Sequence, residues 1–210
     1  MHHILLSTLL VVVGLLASTG LAAVLLSRSN RAVLAVGSAG ALGASALGLL
    51  AAIVALLGGE RFELLVPWAL PMGSLRFGLD PLSSFFAVCV CAISGLASFY
   101  GIGYLRGYQD QRRLWPAVVG FTVLVAAMLL VVLARDGVCF LLAWELMSLA
   151  AFFLVTFESE RDSVRRAGTT YLIASHIGVL VLLALFALLA RGAGSFAFAD
   201  MAGAAALGGS

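Results

Sequence analysis

Six apolar runs, at roughly 4–26, 32–57, 81–105, 115–134, 138–157 and 168–190, dominate this chain, and the short links between them hold nearly all of its charge. A helix rises about 1.5 Å per residue, so about 20 apolar residues cross a hydrocarbon core of about 30 Å. Each run is long enough to do so. The chain is 63% hydrophobic and only 10% charged, whereas a soluble domain carries about a quarter charged residues. Lipid must therefore cover what no folded interior could. None of the runs alternates polar with apolar residues as barrel strands do, so helices are the reading. The expected fold is all-α, a polytopic membrane bundle of about six transmembrane helices.

At the start, Met1, His2 and His3 precede an apolar stretch from Ile4 to about Leu26. A secretory signal would show a basic residue before a shorter run of about 7–15 apolar residues. This stretch has neither feature, and it is read as the first membrane helix. The expected organisation has the first two helices in 1–57, an extracytoplasmic interfacial link in 58–79, helices three to six in 80–190 and a surface tail in 191–210. Within 58–79, Pro67, Pro71 and Gly73 punctuate short apolar stretches, which favours an extended or hairpin-like excursion, and Trp68 suits the aromatic belt at the membrane surface. The tail is rich in small residues and reads as a surface or disordered segment.

All twelve basic residues are arginine, and they set an orientation. Arg28, Arg31, Arg106, Arg112, Arg113, Arg161, Arg165 and Arg166 fall in the first, third and fifth links. Arg61, Arg76, Arg135 and Arg191 fall on the other side. The arginine-rich side normally faces the cytoplasm, so both ends of the chain are expected outside. With a formal net charge of +2 and no basic stripe, nucleic-acid binding has no support. Cys89, Cys91 and Cys139 sit inside apolar runs without paired metal-ligand spacing, and read as small buried residues. Gly40, Ala44, Gly48 and Ala52 recur every four residues, a ridge that lets another backbone come close. The cluster from Glu158 to Arg166 reads mostly as a solvated loop. No phosphate loop, metal-ligand pattern or nucleophile elbow is present.

Glu145 carries the functional question. It stands near the centre of the fifth run with no basic residue within a turn. An unpaired carboxylate there costs at least about 2.5–3.5 kcal/mol, so it either holds a proton or has a cationic partner on another helix. Moving that partner would switch its charge, which is what a proton relay requires. A protonated glutamate hydrogen-bonded for packing is the bland alternative. Ser148, Phe152 and Thr156 share its helix face. In the third run Asp80, Ser84, Ala87, Cys91, Ser94 and Ser98 form one stripe, suited either to lining a wetted path or to marking a helix contact. His176 in the sixth run, with Thr169 two turns earlier on its face, can take and release protons near neutrality; a histidine satisfied by a carbonyl is the alternative. Asp80, followed by Pro81, also suits an N-cap with proline at the first helical position. Glu145 and His176 are thus the candidate proton-transfer residues, with Asp80, Ser84, Ser148 and Thr169 a possible supporting polar path.

The stretches LDPLSSFFAVCVCAISGLASFYGIGYL, FLLAWELMSLAAFFLV and AGTTYLIASHIGVLVLLALF resemble the antiporter-like membrane subunits shared by complex I, Mrp-type cation/proton antiporters and membrane-bound hydrogenases. WELMSL and YLIASHIG look most like component B of hydrogenase-4-type complexes. The resemblance implies that Glu145 matches the essential proton-channel glutamate of the family. It also implies a lysine partner on a seventh, broken helix. Here the chain departs from the pattern, since it contains no lysine and ends after the sixth run. It is read as an N-terminal portion of a longer subunit. Flavin, iron–sulfur or nickel–iron centres are expected only in partner subunits, membrane and peripheral, and no cofactor in this chain. The implied location is a prokaryotic cell membrane.

The leading expectation is a proton-translocating subunit of a hydrogenase or complex I-like oxidoreductase, with a buried glutamate, Glu145, as its proton-channel residue and without redox chemistry of its own. The alternatives are a sodium/proton antiporter subunit of the Mrp type, and a non-transporting scaffold or fragment.

Overall fold

The computed structural model describes residues 2–59, 61–66 and 75–208. Its elements are α1 (His2–Leu25), α2 (Asn30–Gly58), β1 (Phe62–Val66), β2 (Leu75–Leu79), α3 (Pro81–Arg106), α4 (Trp115–Leu133), α5 (Gly137–Val155), a 3-10 turn (Thr156–Glu158), α6 (Asp162–Ala193) and α7 (Phe198–Gly208). The first six helices are long and apolar enough to cross a membrane. They form the all-α membrane bundle expected from the runs.

Local chemistry sets the boundaries. Asp80 caps α3 by accepting a hydrogen bond from the Ser83 amide, the Ser83 hydroxyl oxygen accepts one in return from the Asp80 N–H, and Pro81 occupies the first turn, a reciprocal arrangement that satisfies two otherwise orphan donors. Asp136 caps α5 through the amides of Val138 and Cys139. Helices α2 and α6 end on Gly59 and Gly194, both at positive φ, a conformation that costs glycine nothing. Helix α6 begins at Asp162, ahead of its apolar run, because an acidic first turn suits a helix N-terminus outside the hydrocarbon.

Helices α1, α2 and α4 make the centre. Leu6, Leu9, Val12 and Leu16 of α1 meet Ala44 and Ala52 of α2, and Val125 and Leu129 of α4. The small-residue ridge of α2 permits this. A Cβ at Gly40 would run into the Thr19 side chain of α1, and one at Gly48 would lie 2.7 Å from the Cys91 sulfur of α3. Lipid tails are as apolar as leucine, so close van der Waals contact, not transfer from water, holds such a seam. Helix α3 flanks α2 and α4, α5 flanks α4, and α6 packs along α5 at the edge of the bundle.

The links gather at two ends. At one, Asn30 ties the first link to the third: its Nδ2 donates to the carbonyls of Gln109 and Arg112 at 2.5 and 2.8 Å, and its Oδ1 accepts from the Leu114 amide. Arg112 donates to the Phe157 carbonyl, and Tyr108 donates to Glu158 at 2.7 Å. The loop read as solvated is therefore partly built in. Glu160, Arg161, Asp162 and Arg165 are exposed, but the Glu158 side chain is only 21% so, because Tyr108 and Arg161 close over it.

At the other end β1 and β2 pair antiparallel, Phe62 opposite Leu79, and the Arg135 amide donates to the Arg76 carbonyl. Pro67, Trp68, Pro71 and Gly73 lie outside the described residues. The tail departs from a purely surface or disordered segment. Its alanine-rich sequence favours helix, α7 forms, Ala197 and Met201 are buried, and Phe198 packs its ring on Phe140 and Phe186.

Candidate functional site

Helices α5 and α6 run side by side, and their contact brings Glu145 to His176. The histidine Nε2 lies 3.8 Å from Glu145 Oε2. Beside this pair the Ser148 and Ser175 hydroxyls bond to each other across the helices. Ser148 is buried, which fits its place three residues along the face of α5 from Glu145. The expectation of a buried glutamate needs correction, however. The Glu145 side chain is 32% exposed and His176 47%, because α6 packs on α5 from one side only at the edge of the bundle.

The imidazole has a defined orientation. Its Nδ1 is 2.9 Å from the Leu172 carbonyl one turn back. A carbonyl oxygen only accepts, so Nδ1 carries the hydrogen, and Nε2 is the nitrogen turned toward Glu145. One proton shared by the two side chains gives either two neutral groups or an ion pair, and both states avoid a lone charge in hydrocarbon. At 3.8 Å the groups do not touch as a hydrogen bond. Direct contact between them takes a side-chain rotation, and indirect contact one bridging water.

The supporting path divides. Ser148 belongs with the pair, whereas Thr169 is exposed and its hydroxyl donates to the Arg165 carbonyl on its own helix. Asp80 sits at the end of the bundle, 3.2 Å from the Arg135 guanidinium, which also donates to Ser83 and to the carbonyl of Ala134. Burial pushes the Asp80 carboxyl up, but the Ser83 amide and hydroxyl bonds together with the charges of Arg135 and Arg61 hold it below the usual aspartate value. Ser84 is buried on α3, and its hydroxyl has no partner among the described residues. The rest of its stripe, Ala87, Cys91, Ser94 and Ser98, is likewise buried. Cys91 lies against Gly48 and Gly95 against Ser45, so this stripe is where α3 meets α2.

Two features were not singled out from sequence. Asp136, in the link before α5, is 2% exposed; an aspartate before a helix is the signal for the cap it makes, but not for its depth. The second is the Tyr108–Glu158 contact, where the hydrogen bond with Tyr104, then that with Glu158, push the phenol above its ordinary range. Arg112 stacks over Tyr108 and Phe157 beside it. Among the described residues no group of three His, Cys, Asp or Glu side chains is placed to hold a metal ion.

Residues 134–209, which contain both Glu145 and His176, match the family described as NADH:quinone oxidoreductase/Mrp antiporter, TM. An uncharacterised protein of Mycobacterium tuberculosis is 37% identical over 166 residues, which is 78% of this chain and 26% of that protein. Hydrogenase-4 component B of Escherichia coli K12 is 28% identical over 128 residues, 60% of this chain and 18% of that protein. The fold superposes on the structure of the Mrp complex from a Dietzia species with a TM-score of 0.74 and 26% identity, covering 94% of this chain and 20% of that one. The chain thus spans about a quarter, or less, of the length of these relatives. Family match, relatives and shared fold agree that this is an antiporter-like membrane chain related to the membrane subunits of complex I, Mrp and hydrogenase-4 complexes.

Proposed function

We propose that the chain moves protons within a multi-subunit membrane complex of the hydrogenase or complex I-like type, with Glu145 as the principal protonatable group and His176 as its relay partner. The observation that supports this is the approach of the two side chains across the α5–α6 contact. A lone carboxylate at that depth would be costly, and a second protonatable group next to it makes exchange of one proton possible without a stranded charge. Asp80, Ser84 and Thr169 have a lesser part, Asp80 as a cap and ion-pair partner, Ser84 within the α2–α3 contact, Thr169 at the lipid-facing side of α6. Flavin, iron–sulfur or nickel–iron centres belong in this reading to partner subunits. The arginine count puts both ends outside, and the first, third and fifth links, which converge at one end through Asn30, Arg112 and Tyr108, then face the cytoplasm. Cysteine labelling of 161–166 from outside would overturn that orientation.

The test is Glu145→Gln in the parent complex, with proton uptake read in inverted membrane vesicles. Loss of pumping with electron transfer or assembly retained supports the reading, and unchanged pumping sinks it. Superposition of nearly the whole chain on an Mrp complex structure favours a second reading, a sodium/proton antiporter subunit. Sodium dependence of the same uptake separates the two.

A further inference from the structure

We infer that the end of the bundle where the first and third links meet holds a binding site for the phosphate of an acidic phospholipid. A cavity of about 530 Å³ opens there, lined by Arg28, Arg31 and Arg113 together with Ser29, Gln109 and Asp110. The lining carries three arginines and a single acidic residue, Asp110, an excess of two positive charges around the cavity. Nearby arginines are spoken for: Arg112 pairs with Glu160, Arg161 with Glu158 and Arg165 with Asp162. Among the described residues Arg28, Arg31 and Arg113 have no such partner. A phosphodiester oxygen pair is what a guanidinium fork matches.

The site is held in shape before any ligand arrives. Asn30 donates to the carbonyls of Gln109 and Arg112 and accepts from the Leu114 amide, so the arginines of two separate links are fixed around the same space. Fixing the loops beforehand removes part of the ordering cost of binding. The geometry also favours a lipid over a free anion. The last turns of α1 leading to the cavity expose Leu21, Val24 and Leu25, at 62%, 40% and 76%. Acyl chains can lie along that apolar track while the headgroup sits among the guanidiniums, as basic pockets at helix ends hold acidic lipids. The inference stands apart from the proton-transfer reading, and neither depends on the other.

Native mass spectrometry of the detergent-solubilised chain, titrated with phosphatidylglycerol or phosphatidylcholine of matched acyl chains, tests it. The wild-type chain should retain phosphatidylglycerol at about tenfold lower concentration than phosphatidylcholine. The combined Arg28→Gln, Arg31→Gln and Arg113→Gln variant should lose that preference. Arg161→Gln, Arg165→Gln and Arg166→Gln together, an equal charge loss at the same end, should keep it. Equal loss in both variants would reduce the effect to net charge and overturn the site. Displacement of the lipid by millimolar inorganic phosphate would overturn the lipid assignment in favour of a free-anion site. Should the triple variant fail to fold, Arg113→Gln alone serves: phosphatidylglycerol should raise the melting temperature of the wild-type chain more than that of the variant, and equal rises would refute the site.

Discussion

His176 on α6 presents its Nε2 to the Glu145 carboxylate on α5 at 3.8 Å, while Ser148 and Ser175 bond across the same two helices. The serine pair fixes the rotation of α6 against α5, and that rotation decides whether the imidazole faces the carboxyl or the lipid. In the proposed function these two side chains exchange one proton and act as a unit, so their removal should have consequences that differ from the sum of two independent losses.

Glu145→Gln and His176→Gln should each lower proton translocation by about a hundredfold or more, the scale of losing a positioned proton-transfer group. The double variant should be little worse than the more damaged single, because the two groups serve one step. Uptake measurements in vesicles of the parent complex decide it: multiplicative losses would show that His176 acts elsewhere.

Arg135→Gln should destabilise the chain by roughly 1–2 kcal/mol, less than for a fully buried pair because Asp80 is 35% exposed and solvent screens it. A pH profile carries the same information. The folded Asp80 carboxyl lies below its ordinary value of 3.8, so its contribution is complete above that pH and is lost as the pH falls further, through the folded value. Thermal melts of Asp80→Asn in detergent should therefore show a flatter acid limb below pH 3.8 than the wild-type chain does.

Asn30→Ala removes three hydrogen bonds that join the first and third links. At about 0.5–1.5 kcal/mol for each bond, and with partly buried carbonyls left unpaired, the loss should be on the order of 2–3 kcal/mol. Melting in detergent reads it, and an unchanged midpoint would mean that water replaces the amide without penalty.

Gly48→Val and Gly43→Ala make a contrast on one helix. A Cβ at Gly48 would stand 2.7 Å from the Cys91 sulfur, while at Gly43 nothing lies within 4 Å. The first should cost about 1–3 kcal/mol through forced separation of α2 from α3, and the second should be neutral or gain up to about 1 kcal/mol in helix preference. Equal melting temperatures for the two variants would contradict the packing described for the ridge.

Much of this could be read directly from the residues. Apolar runs long enough for a bilayer left helices as their only folded form, because unsatisfied backbone groups are too costly in lipid. Pro81 after Asp80 marked the start of α3, and Glu145 drew attention because a carboxyl in such a run is rare. Membership of one polar path was another matter. Asp80, Ser84, Ser148 and Thr169 are all small polar groups near helix faces, yet only Ser148 lies at the pair. Periodicity tells which residues share a face, but is silent on which neighbour that face meets.

The sequence by itself determined that six helices form, roughly where each begins and ends, and which side chains can hold a proton, since these follow from local hydropathy, capping chemistry and intrinsic acidity. Only the tertiary structure decided that His176 faces Glu145, that Asp136 is buried, and that Tyr108 closes with Arg161 over Glu158. Those outcomes depend on how helices distant in the chain are rotated against one another. Lipid solvates any apolar face almost equally well, so close packing of small residues, and not hydropathy, selects the rotation.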